Sequence, residues 1–463
     1  MSSTISPSRA SSRPASEAAD FRALGVPTNL IGILASRGIT EPFPIQRQTL
    51  PDSLAGLDII GRGRTGSGKT LAFVLPLVAR LSADRRGSAP RQPRGLILVP
   101  TRELAAQVAE TLDPLARALH LSHVVIHGGV SAAPQVKALT RGVDIVIACP
   151  GRLEDLMQQR HCRLDKVSIT VVDEADHMAD LGFLPVVKRV LDKTPQNGQR
   201  LLFSATLDNG VDVLVERYLH SPAVHSVDSA ESPVPDMEHH VLCVSRDDKP
   251  ALVQALASGR ERTLLFTRTK HTAKKIALQL SKAGIPSVDL HGNLSQNVRT
   301  KNLEAFASGE VLVMVATDIA ARGIHVDDIS LVVHVDPPAE HKAFLHRSGR
   351  TARAGASGTV VTVMTPDQRG DVDVLTRRAG IKPTHTKVQP GHPIILELTG
   401  PVAERRMRKL PEAQPVAPTK NSNARKPSGH QPRGGRPQGG RPSGPGSNNR
   451  RRRQPVAKRT TRT

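Results

Sequence analysis

The chain has 463 residues, of which 38% are hydrophobic and 23% charged, enough for a large core divided between two or three domains. No apolar run approaches the roughly 20 residues that span a bilayer, and the Ser/Ala/Pro-rich N-terminus has no apolar core segment, so we expect neither a membrane span nor a secretory signal. Cys149, Cys162 and Cys243 have no metal-type spacing. This disfavours a disulfide framework and favours the reducing cytoplasm.

The positive charge is concentrated at one end of the chain. The formal net charge is +22, and from Glu404 onward 17 Lys/Arg face only 2 Asp/Glu. This excess indicates a polyanionic partner, nucleic acid before a membrane, with a solubilising tail as the alternative. With no Trp, one Tyr and eight Phe, few rings can stack on bases, so we expect contacts to the nucleic-acid backbone.

Short apolar runs alternate with helical periodicity through most of the chain, which predicts an α/β fold with parallel sheets flanked by helices. We predict one domain over 21–228, a linker over 229–238 and a second domain over 239–398. Residues 1–20 and the Arg/Gly/Pro-rich 399–463 have compositions typical of disorder. The clearest predicted strands are 95–99, 124–127, 144–148, Ile169–Val172, 200–203, 263–266, 288–291, 311–316 and 330–335.

The two predicted domains resemble each other. VVIHGGVS at 124–131 matches VDLHGNLS at 288–295, and a Thr-Arg pair follows a strand at both Thr101 and Thr267. The nearly constant offset indicates a duplicated domain. The alternative is that the two segments match only because any two α/β domains share a strand-turn-helix pattern.

A phosphate-binding loop is indicated at 63–70, where the sequence GRTGSGKT fits G-x-x-x-x-G-K-[ST]. It follows an apolar run at 58–61 and precedes an apolar helix at 71–78, as such a loop requires. Backbone N–H groups of this loop would face phosphate oxygens, the ammonium group of Lys69 would reach the outer phosphates, and the Thr70 hydroxyl would ligate Mg²⁺. The predicted nucleotide-binding residues are Thr65, Gly66, Ser67, Gly68, Lys69 and Thr70.

Two carboxylates follow the apolar run 168–172. Asp173 is predicted to hold the Mg²⁺ hydration shell, and Glu174 to polarise the attacking water. Acidic residues often end strands, but about 100 residues after a phosphate loop this pattern strongly indicates nucleotide hydrolysis.

The second half has no phosphate loop but contains HRSGRTAR at 346–353. Its arginines Arg347, Arg350 and Arg353 are spaced by three, which would put them on one side of a helix. Guanidinium groups from the second half would then stabilise charge on a phosphoryl group held by the first half. The alternative is an exposed basic helix.

In this combination the motifs resemble those of the DEAD-box ATP-dependent RNA helicases, over roughly residues 21–365. The family's Q motif, G-x-x-x-P-x-x-I-Q, ends at Gln46, and Phe21 lies 17 residues before its first glycine. The resemblance implies two tandem RecA-like domains, adenine recognition by Gln46 with Phe21 beside it, and finger roles for Arg350 and Arg353.

The resemblance also implies roles outside the hydrolytic centre. Thr317 would contact RNA and Asp318 would contact the nucleotide. Domain closure would be linked to nucleotide state by Ser204, Ala205 and Thr206. Further RNA contacts would come from Pro100, Thr101, Arg102, Gly128, Gly129 and Arg152.

The sequence departs from the family pattern at four positions, none of which removes a catalytic group. Cys149 replaces a threonine and Asn293 an aspartate. Ala352 replaces a glycine, and His325 replaces an aspartate associated with the nucleotide ribose. His325 therefore predicts weaker or retuned ATP use.

We predict an ATP- and Mg²⁺-dependent RNA helicase that acts as a cytoplasmic monomer, contacts no membrane, and binds structured RNA or a short duplex. The tail is predicted to tether RNA electrostatically, and ribosomal or RNA-decay proteins are possible partners. Two rival functions stay open. One is a DNA helicase or translocase, and the other is a nucleotide-gated RNA clamp with little turnover.

Overall fold

The structure, a computed structural model, describes residues 20–63, 66–84, 87–207, 210–227, 237–321, 326, 328–352 and 357–406. Three predicted regions lie wholly or mainly outside these residues: the N-terminal segment, the linker and the basic tail. Thr65, His325 and Arg353 also lie outside them. Within the described residues, no helix is long and apolar enough to cross a membrane.

Residues 28–226 contain nine helices and seven strands among those described. The helices are α1 Thr28–Ser36, α2 Pro44–Ala55, α3 Lys69–Ala83, α4 Arg102–Ala118, α5 Ala133–Arg141, α6 Pro150–Gln158, α7 Ala175–Asp180, α8 Leu184–Leu191 and α9 Val211–Tyr218. The strands are β1 Ile59–Arg62, β2 Gly95–Leu98, β3 His123–Ile126, β4 Ile145–Ala148, β5 Ile169–Val172, β6 Gln199–Ser204 and β7 Ala223–Ser226.

The described part of the second half continues the alternation of strand and helix. Its strands are β8 Met237–Cys243, β9 Arg262–Thr267, β10 Ser287–Leu290, β11 Val313–Thr317, β12 Ile329–His334, β13 Gly358–Met364 and β14 Thr384–Lys387. Its helices are α10 Lys249–Leu256, α11 Lys270–Lys282, α12 Gln296–Ala307, α13 Asp318–Ala321, α14 His341–Ser348, α15 Arg369–Arg378 and α16 Pro393–Thr399, with a 3₁₀ turn at Pro366–Gln368.

Both sheets are parallel and share one strand order, which confirms the predicted α/β class and supports the predicted duplication. The first sheet runs β3-β4-β2-β5-β6-β1-β7 and the second runs β10-β11-β9-β12-β13-β8-β14. Each strand of the first sheet therefore has a counterpart at the same place in the second. The two segments that resemble each other at 124–131 and 288–295 begin at the corresponding edge strands β3 and β10.

Each sheet is covered on both faces, which explains why its strands read as continuous apolar runs. In β2, Ile97 packs into the core on one face while Leu96 and Leu98 pack into the core on the other. In the second sheet, Leu265 and Leu264 divide between two cores in the same way. The carboxyl ends of the strands place the predicted site residues at one edge of each sheet, where ligands of open α/β sheets bind.

The predicted strands agree with the observed ones to within one or two residues. β8 begins at Met237, so the last two residues of the predicted linker belong to the second sheet. This strand pairs along its whole length with β13, and from His240 onward also with β14, so backbone pairing keeps the polar stretch MEHH extended.

Candidate active site

The phosphate loop joins β1 to α3 with the backbone that its glycines allow. Gly68 has φ +87° at the N-cap of α3, and a Cβ there would lie 2.6 Å from the Gln46 amide nitrogen and 3.0 Å from Phe43. Lys69 starts the helix and is buried. The helix N-terminus thus offers unpaired N–H groups next to a buried ammonium group, an arrangement that binds phosphate.

Two buried carboxylates follow β5. Burial raises the pKa of Asp173 to about 7, and the charges of Glu174 and Asp176 add to this shift against the opposing charge of Lys69. A cation beside Asp173 would stabilise its ionised form, so this residue fits a magnesium ligand, as does the hydroxyl oxygen of Thr70. The described residues contain no group of three or more metal-ligating His, Cys, Asp or Glu side chains.

Glu174 is held in a strained and charged state. Its φ of +51° lies in the left-handed region that non-glycine residues rarely adopt. Its Oε2 lies 2.9 Å from His177 Nδ1. Burial opposes ionisation, but the His177 hydrogen bond and the charges of His177, Lys69 and Arg350 hold the pKa of Glu174 well below its usual range. The carboxylate is therefore ionised and oriented, as a group that polarises water must be.

Arg350 brings charge from the second half to this centre. It is buried and acts electrostatically on Glu174, 176 positions earlier in the chain. The prediction that the three arginines share a helix face is wrong for Arg350, because α14 ends at Ser348 and Gly349 caps it. Arg350 instead lies in the following turn, where its backbone N–H donates to the Arg347 carbonyl.

The SAT segment contacts the last carboxylate of the Asp-Glu-Ala-Asp sequence. Asp176 Oδ2 accepts backbone hydrogen bonds from Ala205 and Thr206, both at 3.2 Å, and its own N–H donates to Ser204 Oγ. Ser204 in turn donates to the Thr206 carbonyl at 2.6 Å. A shift in the acidic turn would therefore move the SAT segment directly.

The Q motif is tied to the phosphate loop. Gln46 is buried, its Nε2 donates to the Gly68 carbonyl at 2.8 Å, and its Oε1 accepts from the Phe43 N–H at 2.9 Å. Phe21, predicted to lie beside the adenine, is 1% exposed and packs in the core of the first half. The exposed ring beside the loop is Phe43, 47% exposed, which the sequence had not singled out.

Several predicted RNA contacts converge at the first residues of α4. Thr101 caps the helix by accepting from the Leu104 N–H. A Cβ on Gly129, which has φ +80°, would overlap the Arg102 guanidinium at 2.2 Å. A Cβ on Gly128 would lie 3.8 Å from Arg102 and 3.9 Å from Arg152. The guanidinium groups of Arg102 and Arg152 thus lie beside this glycine turn, and Arg102 can approach Gly129 so closely only because Gly129 has no side chain. Pro100 is buried just before the cap.

The same helix contacts the second half through residues that sequence reasoning missed. Glu103 Oε1 accepts from Arg299 Nε at 2.7 Å, and the Gln296 amide bonds both Arg102 and Glu103. Burial raises the pKa of Glu103, but the hydrogen bond and charge of Arg299 outweigh it and hold that pKa below its usual range. The two partners are nearly 200 residues apart in the sequence, so the link is visible only in the structure, where α4 contacts α12.

Asp318 is held within the second half. Arg347 donates to both of its carboxylate oxygens and to the Asp336 carbonyl, and the Arg347 guanidinium lies 5.2 Å from the centre of the Phe266 ring. Thr317, half-buried, ends the adjacent strand β11. Both carboxylate oxygens of Asp318 are therefore bonded to Arg347.

Two departures from the family pattern have local consequences. Ala352 has φ +54°, in the left-handed region where the family's glycine would be unstrained. Burial, with a contribution from Glu103, raises the pKa of the Cys149 thiol to about 12. Cys149 is thus a neutral group at the N-cap of α6.

Comparison with known proteins agrees with this geometry. The DEAD/DEAH box helicase profile matches residues 43–214, and the helicase conserved C-terminal domain profile matches 248–355. The chain is 35% identical over 381 residues to the ATP-dependent RNA helicase RhlB of Pseudomonas syringae pv. tomato, covering 79% of this chain and 95% of that protein. The chain belongs to the DEAD-box helicase family.

Longer relatives match the same region. The chloroplastic DEAD-box ATP-dependent RNA helicase 3A of Zea mays is 40% identical over 368 residues, which are 78% of this chain and 49% of that protein. The chain thus spans about half the length of this relative. Among solved structures, S. cerevisiae Dbp5 bound to RNA and ADP BeF3 has a TM-score of 0.70 and 25% identity, covering 82% of this chain and 98% of Dbp5. This match supports the prediction of two tandem RecA-like domains.

Proposed function

We propose that the chain is an ATP-dependent RNA helicase whose hydrolytic centre is divided between its two halves. The observation that carries this proposal is that Arg350, a buried residue of the second half, lies near enough for its charge to help lower the pKa of Glu174, whose neighbours in the first half are Lys69 and Asp173. The first half would seat the triphosphate, and the second would supply the positive charge that phosphoryl transfer requires. Arg353, beyond the described residues, is proposed as the second such arginine.

The nucleotide is proposed to be ATP, with Mg²⁺ held by Asp173 and the Thr70 hydroxyl. Bound Mg²⁺ would neutralise charge on the phosphates. Gly66, Ser67, Gly68 and Lys69 would hold the phosphates, and Glu174 would accept a hydrogen bond from the attacking water. Gln46, which is hydrogen-bonded to both Phe43 and Gly68, would couple binding of the adenine base to the position of the phosphate loop.

RNA is proposed to lie across both halves. Arg102 and Arg152 at the Gly128–Gly129 turn would bind phosphates in the first half, and Thr317 would bind in the second. An RNA strand bound to both sets of groups would keep the two halves together, with the Glu103–Arg299 contact formed. The hydrolytic centre would then be complete. The closed state would separate a short duplex locally, and opening of that contact after hydrolysis would release the RNA.

Single-turnover hydrolysis of ATP, with and without RNA, tests the proposal. RNA should accelerate turnover by about 100-fold or more, since the arginine is worth at least that factor. DNA of equal sequence is the control, because 2′-hydroxyl contacts would favour RNA. Equal stimulation by DNA would support the translocase alternative, and no turnover with either would support the RNA clamp. The cytoplasmic location, the monomeric state and ribosomal or RNA-decay partners stay predictions of the sequence.

A further inference from the structure

The exposed side of α11 carries cations and no acid. The helix sequence KHTAKKIALQLSK contains four lysines and one histidine without an Asp or Glu. At about 100° per residue, Lys274, Lys275 and Lys282 lie on the side of the helix away from the buried Ala273, Ala277 and Leu280, and Lys270 lies at the edge of that side. Lys270, Lys274, Lys275 and Lys282 are all exposed. We call these four residues the lysine face.

The lysine face has no acidic partner among the described residues. Exposed Arg189 and Arg217 each bond an acid of a neighbouring element, Glu154 and Asp192 respectively. By contrast, Lys274, Lys275 and Lys282 form no ion pair with any residue that the structure describes. Three unpaired ammonium groups on one helix face are a site for a polyanion.

The lysine face begins beside the surface where RNA is proposed to lie across the two halves, which we call the central groove. The helix α11 follows β9, so its N-terminus lies at the carboxyl edge of the second sheet, with Thr269 as its cap. There Lys270 Nζ donates to Asn293 Oδ1 at 3.2 Å. Asn293 lies in the turn that precedes α12, whose Gln296 and Arg299 contact α4.

The other end of the face meets the start of the basic tail. Because α11 runs back along the parallel sheet, it ends at the amino edge, about 20 Å from its start. The segment 402–406 is bound there: the Arg406 N–H donates to the Gly284 carbonyl at 2.8 Å, and Ala403 donates to Ser258 at 2.8 Å. Arg405 packs beside Gly284. From Arg406 the sequence continues into its most arginine-rich stretch.

We propose that the lysine face is a second RNA-binding surface, which carries a single strand from the central groove along α11 to the root of the basic tail. The proposal rests on the proposed function. Its ligand is the phosphate backbone of an RNA longer than the central groove, and its contacts carry no base specificity. The tail would then hold RNA that has already passed along α11, rather than RNA in the groove itself.

The test compares two triple variants of the full chain. One is Lys274→Gln/Lys275→Gln/Lys282→Gln, which spares Lys270 at the groove. The matched control is Arg377→Gln/Lys382→Gln/Lys387→Gln, with the same change in net charge on exposed residues near β14, at the opposite edge of the sheet. Thermal melting of both variants checks that each is folded.

The measurement is the salt dependence of binding to a single-stranded RNA of about 6 nucleotides and to one of about 25. For the long RNA, the α11 variant should flatten the slope of log K against log salt by about 2, since each phosphate that is no longer neutralised reduces the slope by about 0.7. Its binding to the short RNA and its short-RNA-stimulated ATP hydrolysis should match wild type. The control variant should leave the long-RNA slope unchanged.

The other outcomes distinguish failure of the lysine-face proposal from failure of the proposed function. Equal flattening by both triple variants would mean a bulk charge effect and would overturn the lysine face, as would an unchanged slope in the α11 variant. Equal loss of short-RNA and long-RNA binding would place these lysines in the central groove and overturn the extended path. If the short RNA fails to stimulate the wild type at all, the proposed function itself fails.

Discussion

Glu103 and Arg299 form an ion pair of 2.7 Å between the two halves, with side chains only 8% and 9% exposed. Glu103 follows the predicted RNA contact Arg102 in α4, and the amide of Gln296, from the same helix as Arg299, bonds both Arg102 and Glu103. Removing one partner of a buried pair of this kind is costly, because the other is left as a desolvated and unpaired charge. The pair therefore acts as a latch between the halves.

Removing Arg299 should open this latch. Arg299→Ala leaves Glu103 unpaired in the closed state, which costs about 3 kcal/mol or more, and RNA-stimulated ATP hydrolysis should fall about 100-fold. Nucleotide affinity, measured by equilibrium binding, should stay within a factor of about two, because the first half seats the nucleotide. Arg377→Ala, an exposed arginine far from the latch, is the control. Wild-type stimulation in the Arg299 variant would contradict a role in closure.

Glu174→Gln should separate binding from turnover. The amide keeps the size of the side chain but cannot accept a proton from water, so turnover should fall by about 10²- to 10⁴-fold. ATP and RNA affinities should persist, as equilibrium binding can show. Wild-type turnover in this variant would remove Glu174 from the hydrolytic step.

Arg350→Ala should slow hydrolysis by about 10³-fold while leaving nucleotide affinity mostly intact. Arg350→Lys should recover little of the lost rate, because an ammonium group cannot reproduce the planar guanidinium fork. Single-turnover kinetics and nucleotide titration measure the two quantities. A large loss of affinity with unchanged turnover would contradict the finger role.

Removal of the basic tail should weaken electrostatic tethering. The chain should be cut after Arg406, because 402–406 is hydrogen-bonded to the second half and belongs to the folded part. The salt slope of RNA binding should flatten by about 0.7 for each phosphate that the tail neutralises. A slope identical to that of the full chain would mean that the tail is a spacer or binds protein.

Two thiols should resist alkylation. Burial raises the pKa of both Cys149 and Cys162 to about 12, so thiolate appears only as the pH approaches that value and is about one part in 10⁴ at pH 8. Iodoacetamide should leave both unmodified in the folded chain at pH 8, by mass spectrometry, and modify both in urea. Rapid labelling of Cys149 in the folded chain would show that its turn is open to solvent.

Much of the fold could be predicted because the central strands are continuous apolar runs between helices. β7 and β14 were missed because they are short, polar edge strands, and AVHS or THTK has no apolar periodicity. β13 was missed although its sequence GTVVTVM has the β-branched composition of a buried strand, so that signal was available.

The chemistry of the site could be predicted where its residues are close in the sequence. It could not be predicted where it depends on how the two halves of the chain pack together. Lys69 and Asp173 belong to motifs of contiguous residues. The His177 partner of Glu174 lies one turn on, in a helix that the sequence did not delimit. Arg299 reaches Glu103 only because the two halves meet, and the burial of Phe21 in the core depends on packing, which motif spacing does not predict.

The most direct test of the divided centre uses the first half alone. Its two cores contain only residues 21–227, so a fragment ending at Val227 should fold by itself. We predict that this fragment binds ATP but hydrolyses it about 100-fold or more slowly than the RNA-saturated full chain in single-turnover assays. A fragment that hydrolyses ATP without RNA as fast as the RNA-saturated full chain would contradict the account.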